Sequence, residues 1–365
     1  MRSPYSDLPP DAYWRTGVAA RAPLDPGEVF VPRFAVSRDM NVVTGGSCFA
    51  QVVGRALREA GFAVIDAEPL SEAVPDDVAR RFGYRIFSAR YGNIYTARQL
   101  AQLFDEAEGA ATPALPVWRR DGRFFDAQRP NVEPDGLETE ADVLRHRTAH
   151  LAAVRSAFRQ ADLFVFTFGL TEAWVHAATG TVYPTAPGTI AGDFDPAMFV
   201  LRNFDAIEVL ADFERFRAQL KAVNPTVRFL VTTSPVPMTA TASGAHIEVA
   251  NCYSKSTLRA VCGMLAARHE DIDYFPGYEI ITSQNARGAY YGPNQRNISP
   301  AGVKAAMSAF LAAHGIGAAA PEPSARVKRS KPDRARLANK AGSRRAAQAD
   351  AEVECEEALL EAFAR

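Results

Sequence analysis

The sequence predicts an α/β protein, a three-layer α/β/α sandwich around a parallel sheet. Three observations predict it. Short, wholly apolar runs recur, as in D-L-F-V-F-T-F-G at residues 162–169 and V-R-F-L-V-T-T at residues 227–233. Each follows a longer segment with apolar residues at helical spacing. Strands and helices alternate in this way along most of the chain. Parallel strands need long crossovers, and helical crossovers cover both faces of the sheet, so its strands read as continuous apolar runs.

The elements follow in order. Residues 1–40 are rich in Pro, Gly and Arg and are expected to form an irregular wrap over the domain. Residues 41–44 read as a buried strand. Residues 48–60 read as a helix, with Val52, Val53, Ala56 and Leu57 on one face and Gly61 as its stop. The run F-A-V-I-D at residues 62–66 reads as a second strand, which makes a right-handed strand-helix-strand unit. An insertion is expected at residues 109–136. A charged helix over 138–160 leads into the strand at 162–169, and a helix over 204–223 into the strand at 227–233. A helix over 250–267 precedes a shorter strand in D-I-D-Y-F-P. A last helix starts after Ser299-Pro300 and runs to about Ala313. Residues 41–315 are therefore expected to form one domain.

The remainder has a different composition. Residues 316–347 carry nine Lys and Arg, from Arg326 to Arg345, and few large apolar side chains, the pattern of a basic flexible linker. Residues 348–365 turn acidic. Val353, Leu359, Leu360 and Phe363 there suggest a short amphipathic helix, read first as part of a solvated tail, with docking on the domain or on a protein partner as the sharper alternative.

Composition narrows the function classes. The 365 residues are 47% hydrophobic and 23% charged, as in ordinary globular proteins. A net charge of -1 gives no global pull toward nucleic acid or an anionic membrane. The basic linker lacks the interleaved aromatics of a nucleic-acid binder. No run approaches 18 apolar residues, so no membrane span is expected, and the first residues lack the apolar core of a signal peptide. Cys48, Cys252, Cys262 and Cys355 are scattered, with no C-x-x-C pair and no metal-ligand spacing. A reduced, cytoplasmic protein without metal or cofactor is the expectation.

Ligands of open parallel sheets bind outside the carboxyl ends of the strands, so the chemistry is sought in the segments that follow them. After the first strand comes T-G-G-S-C-F-A, residues 44–50. Gly45 and Gly46 permit a sharp turn. Ser47 stands at the start of the helix, either as a helix cap or as a nucleophile beside helix amides able to hold an oxyanion. Cys48 reads as a small buried residue behind it. The loop R-Y-G-N-I-Y-T, residues 90–96, places Gly92 and Asn93 as candidate donors. In T-F-G-L-T-E-A-W, residues 167–174, Gly169, Thr171 and Trp174 are candidates for substrate contact, and Thr171-Glu172 read as a helix start. His246 is the histidine placed in a loop after a core strand. His146, His150, His269 and His314 read as surface residues, and His176 as a weaker candidate.

These segments also carry a resemblance. G-S-C-F-A at residues 46–50 is the namesake string of the GSCFA family, within the broad SGNH/GDSL-like hydrolase superfamily. S-A-R-Y-G-N-I-Y-T, F-G-L-T-E-A-W, S-P-V-P, Y-S-K-S and F-P-G-Y-E-I follow in order, so the resemblance spans roughly residues 10–315. It implies a flavodoxin-like sheet and the chemistry of serine esterases and acyltransferases. Carried over by motif, Ser47 is the expected nucleophile and Gly92 the expected oxyanion glycine. The superfamily's third block reads G-x-N-D. Here it reads Gly169-Leu170-Thr171-Glu172, and Asn93 is the expected substitute for the missing asparagine. Superfamily members usually carry Asp-x-x-His before the last helix. Here Asn294 and Asn297 hold those positions, and neither can serve as base or carboxylate.

Two functions compete on these residues. One is a serine O-acyl esterase or acyltransferase acting on an acylated sugar or polysaccharide. In it His246 replaces the missing base, Glu172 (or Glu279) orients it, and Tyr253 and Lys255 add donors, a Ser–Lys pair being the more distant option. The other is a non-catalytic glycan- or protein-binding module on a degenerate hydrolase fold. An enzyme dependent on Cys48 is a lesser third.

Overall fold

A computed structural model describes residues 3–316 and 356–364. The expected linker at 316–347 lies outside the described residues, apart from Ile316. Four parallel strands form the central sheet: β1 (Val42–Gly46), β4 (Leu163–Phe168), β8 (Arg228–Thr233) and β9 (Ile272–Tyr274), in that spatial order. Val43 pairs with Phe164, Phe164 with Phe229, and Phe229 with Ile272. On the outer side of β1, the expected strand at residues 62–66 shrinks to a single parallel bridge, Val42 to Val64. Counted with that bridge, the strand order is 2-1-3-4-5 in sequence, the flavodoxin order. Its reversal point lies between β1 and β4.

The side-chain alternation of the strands builds two cores. Val43, Phe164, Phe166, Phe168, Phe229 and Val231 face one side. There they pack on α3 (Ala97–Ala107), α4 (Glu140–Gln160), α5 (Ala206–Val223) and α6 (Ile247–Arg268), through residues such as Leu100, Phe158, Phe213 and Leu258. Val42, Leu163, Val165 and Leu230 face the other side, against α1 (Cys48–Glu59), α7 (Gly277–Thr282) and α8 (Pro300–Ala313). Phe30 and Val36 of the N-terminal segment close this second core. The result is the three-layer α/β/α sandwich.

Three smaller parts complete the fold. Helix α2 (Asp76–Arg81) precedes the Gly92 loop. The insertion folds as a hairpin of β2 (Val117–Arg120) and β3 (Arg123–Asp126). Beyond β4, strands β5 (Glu172–His176), β6 (Val182–Tyr183) and β7 (Phe199–Asn203) form an antiparallel sheet with β5 in the middle. Thr171-Glu172 therefore open a strand, not a helix. Glu172 pairs with Asn203 and Trp174 with Leu201, and two-sided pairing satisfies the backbone that a helix would otherwise satisfy. At the C-terminus, residues Glu356–Phe363 form a short 3-10 helix.

Candidate active site

The reversal point of the sheet brings the ends of β1 and β4 together; β1 ends in Gly46, and Gly169 follows β4. Gly46 has φ +131°, and a Cβ there would lie 2.4 Å from the Thr167 carbonyl oxygen, so only glycine lets the two strands meet. The turn that follows is pinned on both sides. The Ser47 amide donates to Thr167 O at 3.1 Å, and the Ile94 amide donates to Gly46 O at 2.8 Å.

Ser47 occupies the N-cap position of α1, with φ -72° and ψ 179°, yet its hydroxyl makes no capping bond. The residue is 2% exposed, and Oγ has no hydrogen-bond partner among the described residues. Thr96, Thr139, Asp205 and Ser299 all cap their helices through the side chain. An unmet buried hydroxyl costs about 1–3 kcal/mol, which makes Ser47 an exception in need of a reason.

The surrounding groups are fixed tightly. Gly92 turns with φ +68°. Asn93 is buried, and its Oδ1 accepts from Gln51 Nε2 at 3.1 Å. Its backbone carbonyl accepts from Gln99 Nε2 at 3.0 Å, while Gln99 Oε1 accepts from the Tyr95 amide at 2.9 Å. The amides of Gly169 and Leu170 both donate to Tyr95 O. A Cβ on Gly169 would fall 2.6 Å from Ser47 Cβ, so this glycine packs directly on the serine. From the other side Lys255, 2% exposed, donates from Nζ to Gly169 O at 2.7 Å. Ser254 Oγ accepts from the Thr171 amide at 3.1 Å, and Thr171 Oγ1 is buried without a partner among the described residues. Lys255 and Ser47 thus touch the same residue from two elements.

His246 and Glu172 stand differently from the sequence expectation. His246 caps α6: its Nδ1 accepts from the Glu248 amide at 3.3 Å, and its side chain is 68% exposed. That bond spends Nδ1 on one of the orphan amides of the first helical turn. Glu172 receives Thr241 Oγ1 on both carboxylate oxygens, at 2.8 and 2.9 Å. No hydrogen bond joins Ser47, His246 and Glu172 among the described residues. Tyr253 is exposed on α6. Trp174 walls a cavity of about 200 Å³ with Leu170, Glu172, Met238 and Thr241. Glu279, the other candidate orienter, pairs with Arg259 and accepts from Tyr274 Oη at 2.6 Å.

At the place of the missing Asp-x-x-His, Asn294 and Asn297 are exposed. Asn294 Oδ1 accepts from the amides of Arg296 and Asn297 and so shapes a turn. The side chain that this turn sends inward is Arg296, 9% exposed, whose Nε donates to Pro237 O at 3.1 Å. Arg296, Gln51 and Gln99 escaped sequence reasoning. Of these only Gln51, one helical turn after Ser47, carried a positional signal.

A buried ionic cluster backs the Gly92-Asn93 loop. Arg129 Nε donates to Asp126 at 2.7 Å, and Arg147 pairs with Glu106 and lies 3.5 Å from Asp126. His150, expected at the surface, is fully buried, with Nδ1 2.7 Å from Glu68 Oε2. Burial, helped by the charge of Arg129, pushes the His150 imidazole down to about 3, so it is neutral at pH 7. Burial alone would raise the Glu68 carboxyl; the His150 hydrogen bond, nearby positive charge and the Arg90 amide outweigh it and hold it at about 2. Tyr91 lies between this cluster and β1, its Oη donating to Thr44 O. Cys262 is inert by the same logic, its thiol pushed up to about 12 by burial. Cys48 is buried in the α1-side core. Among the described residues no cluster of His, Cys, Asp and Glu is placed to hold a metal, and no helix is long and apolar enough to cross a membrane.

The sequence matches the GSCFA family over residues 41–310, most of the chain. The chain belongs to the GSCFA family. The match begins at β1 and ends within α8, so it contains the whole sheet and the turn at Ser47. Comparison with curated proteins found no match.

Proposed function

We propose that this GSCFA protein is a serine acyl-transfer enzyme of SGNH-like type, an O-acyl esterase or acyltransferase with Ser47 as nucleophile. The observation that carries the reading is the Ser47 hydroxyl, buried at a helix N-terminus and capping nothing. Ser47 Oγ attacks the ester carbonyl and gives up its proton. The new C–O bond forms as the carbonyl becomes an oxyanion, which in this reading the amides opening α1 and the Gly92-Asn93 loop receive. The alkoxide leaves with a proton. Water or an acceptor hydroxyl then releases the acyl group and restores the serine.

The proton acceptor in this reading is Lys255 rather than His246. Lys255 enters buried and already bonded to the residue that packs on Ser47. Its Nζ donates to the Gly169 carbonyl, and in this reading the same amine takes the serine proton, as in Ser–Lys sites. Thr171 and Trp174 contact the bound substrate. An acylated sugar or polysaccharide remains the proposed substrate class, and the scattered cysteines suit a reduced compartment.

Labelling with a fluorophosphonate probe tests the proposal. Wild type and Cys48→Ala label, and Ser47→Ala does not. One observation favours a second reading, a binding module: the turn at Asn294 and Asn297 is exposed and carries neither acid nor base. A wild-type chain inert to the probe would select that reading.

A further inference from the structure

The C-terminal helix reaches the cavity beside the candidate site. Leu360 is part of the wall of the cavity formed by Leu170, Trp174, Met238 and Thr241. Leu360 is half-buried, whereas Leu359 and Phe363 are 46% and 66% exposed. Among the described residues, Leu360 is the side chain of this helix that lines the cavity. Leu170, which lines the cavity, is the residue after the glycine that packs on Ser47. At about 200 Å³ it is smaller than a site for a drug-sized ligand, and its size suits a short acyl chain. Ala173, Ala240 and Ala242 line it as well, and these small side chains leave the space that an alkyl group fills.

We propose that this cavity is the subsite for the apolar part of an acyl substrate, and that Leu360 covers it in cis as a tethered competitor. The competition rests on the serine acyl-transfer reading, whereas the docking of the helix does not. Chain length permits docking in cis. The 39 residues between Ile316 and Glu356 span more than about 100 Å when extended, several times the width of a domain. A tether also presents the helix at roughly millimolar effective concentration, so a single weak anchor populates the docked state without locking it. The result is a site that is covered at rest and opened by a substrate or partner that displaces one leucine.

The test uses the full chain as wild type, Leu360→Met and Leu360→Asp. The docked helix is read by amide hydrogen exchange at residues 238–242 and 356–363. Leu360→Asp should lose protection in both segments, while Leu360→Met keeps it. Equal exchange in wild type and Leu360→Asp would overturn the docking. The competition is read by the rate of labelling with an alkyl fluorophosphonate, which Leu360→Asp should raise about tenfold, in line with the loss of one half-buried leucine. Altered exchange with an unchanged labelling rate would overturn the competition. If no variant labels, the serine reading falls and the competition with it, and exchange still decides the docking. Protection that grows with protein concentration alongside a dimer mass would assign the helix to a second copy and overturn docking in cis.

Discussion

At the residue scale the site is a matter of two glycines and what they allow. A side chain at Gly46 would meet Thr167 O at 2.4 Å in a backbone conformation that L-residues avoid. Gly46→Ala should therefore cost at least about 2 kcal/mol of stability, measured by urea unfolding. A side chain at Gly169 would instead meet Ser47 Cβ at 2.6 Å. Gly169→Ala should lower fluorophosphonate labelling of Ser47 by far more than it lowers the unfolding midpoint, because the displaced atom is the reacting side chain. Equal labelling in this variant would show that Ser47 does not need its position against Gly169. The location of Ser47 was legible in the sequence, since G-G-S after an apolar run marks a strand-to-helix turn. Its failure to cap was not legible, because a hydroxyl's rotamer depends on neighbours that arrive from Tyr95 and Gly169. His246 shows the converse. A histidine after a strand looked available to the sheet edge, but the first amides of α6 claimed its ring nitrogen.

At the element scale, legibility follows the periodicity of the apolar residues. Strands β4 and β8 are six residues each, buried over all or nearly all of their length, and their sequence runs are apolar to match. Residues 62–66 carry the same signal but lie at the sheet edge, where one bridge to Val42 suffices. Strand β5 was misread because T-E is good helix-start chemistry, and only its pairing with β7, nearly thirty residues later, makes it a strand. Helix α4 conceals its buried charges for a related reason. Arg147 and His150 look solvent-facing in a charged sequence, yet Glu106, Asp126 and Glu68 from three other segments meet them. Removing one partner from such a cluster strands the others in a dry interior. Arg147→Met should thus destabilise the protein by about 3–5 kcal/mol in chemical denaturation. A change below about 1 kcal/mol would show that the cluster is solvated.

At the scale of the whole molecule, the same cluster sets the response to acid. His150 has its imidazole depressed from 6.5 to about 3 in the folded state, so between those values the unfolded chain binds more protons. Glu68 is depressed from 4.5 to about 2, which has the same sign at lower pH. Both contributions are complete near pH 7 and are lost as pH falls. Stability should drop from about pH 6.5 downward, at up to about 1.4 kcal/mol per pH unit for each such group. His150→Gln should flatten the upper part of that slope, from pH 6.5 to about 4.5, in thermal unfolding followed by circular dichroism. A slope unchanged in the variant would place His150 outside the acid response. The three-layer order of the domain was legible because alternation of helices and strands is a property of the chain itself. The antiparallel sheet that walls the cavity was not, because it forms only through contacts distant in sequence.

The most direct measurement of the central claim is the labelling rate of full-length chains by a fluorophosphonate. Wild type and His246→Ala should label at equal rates. Ser47→Ala should not label, and Lys255→Met should lose at least about 100-fold, the usual contribution of a general base, with its circular dichroism unchanged. Loss of labelling in His246→Ala with retention in Lys255→Met would contradict the assignment of Lys255 as the base of Ser47.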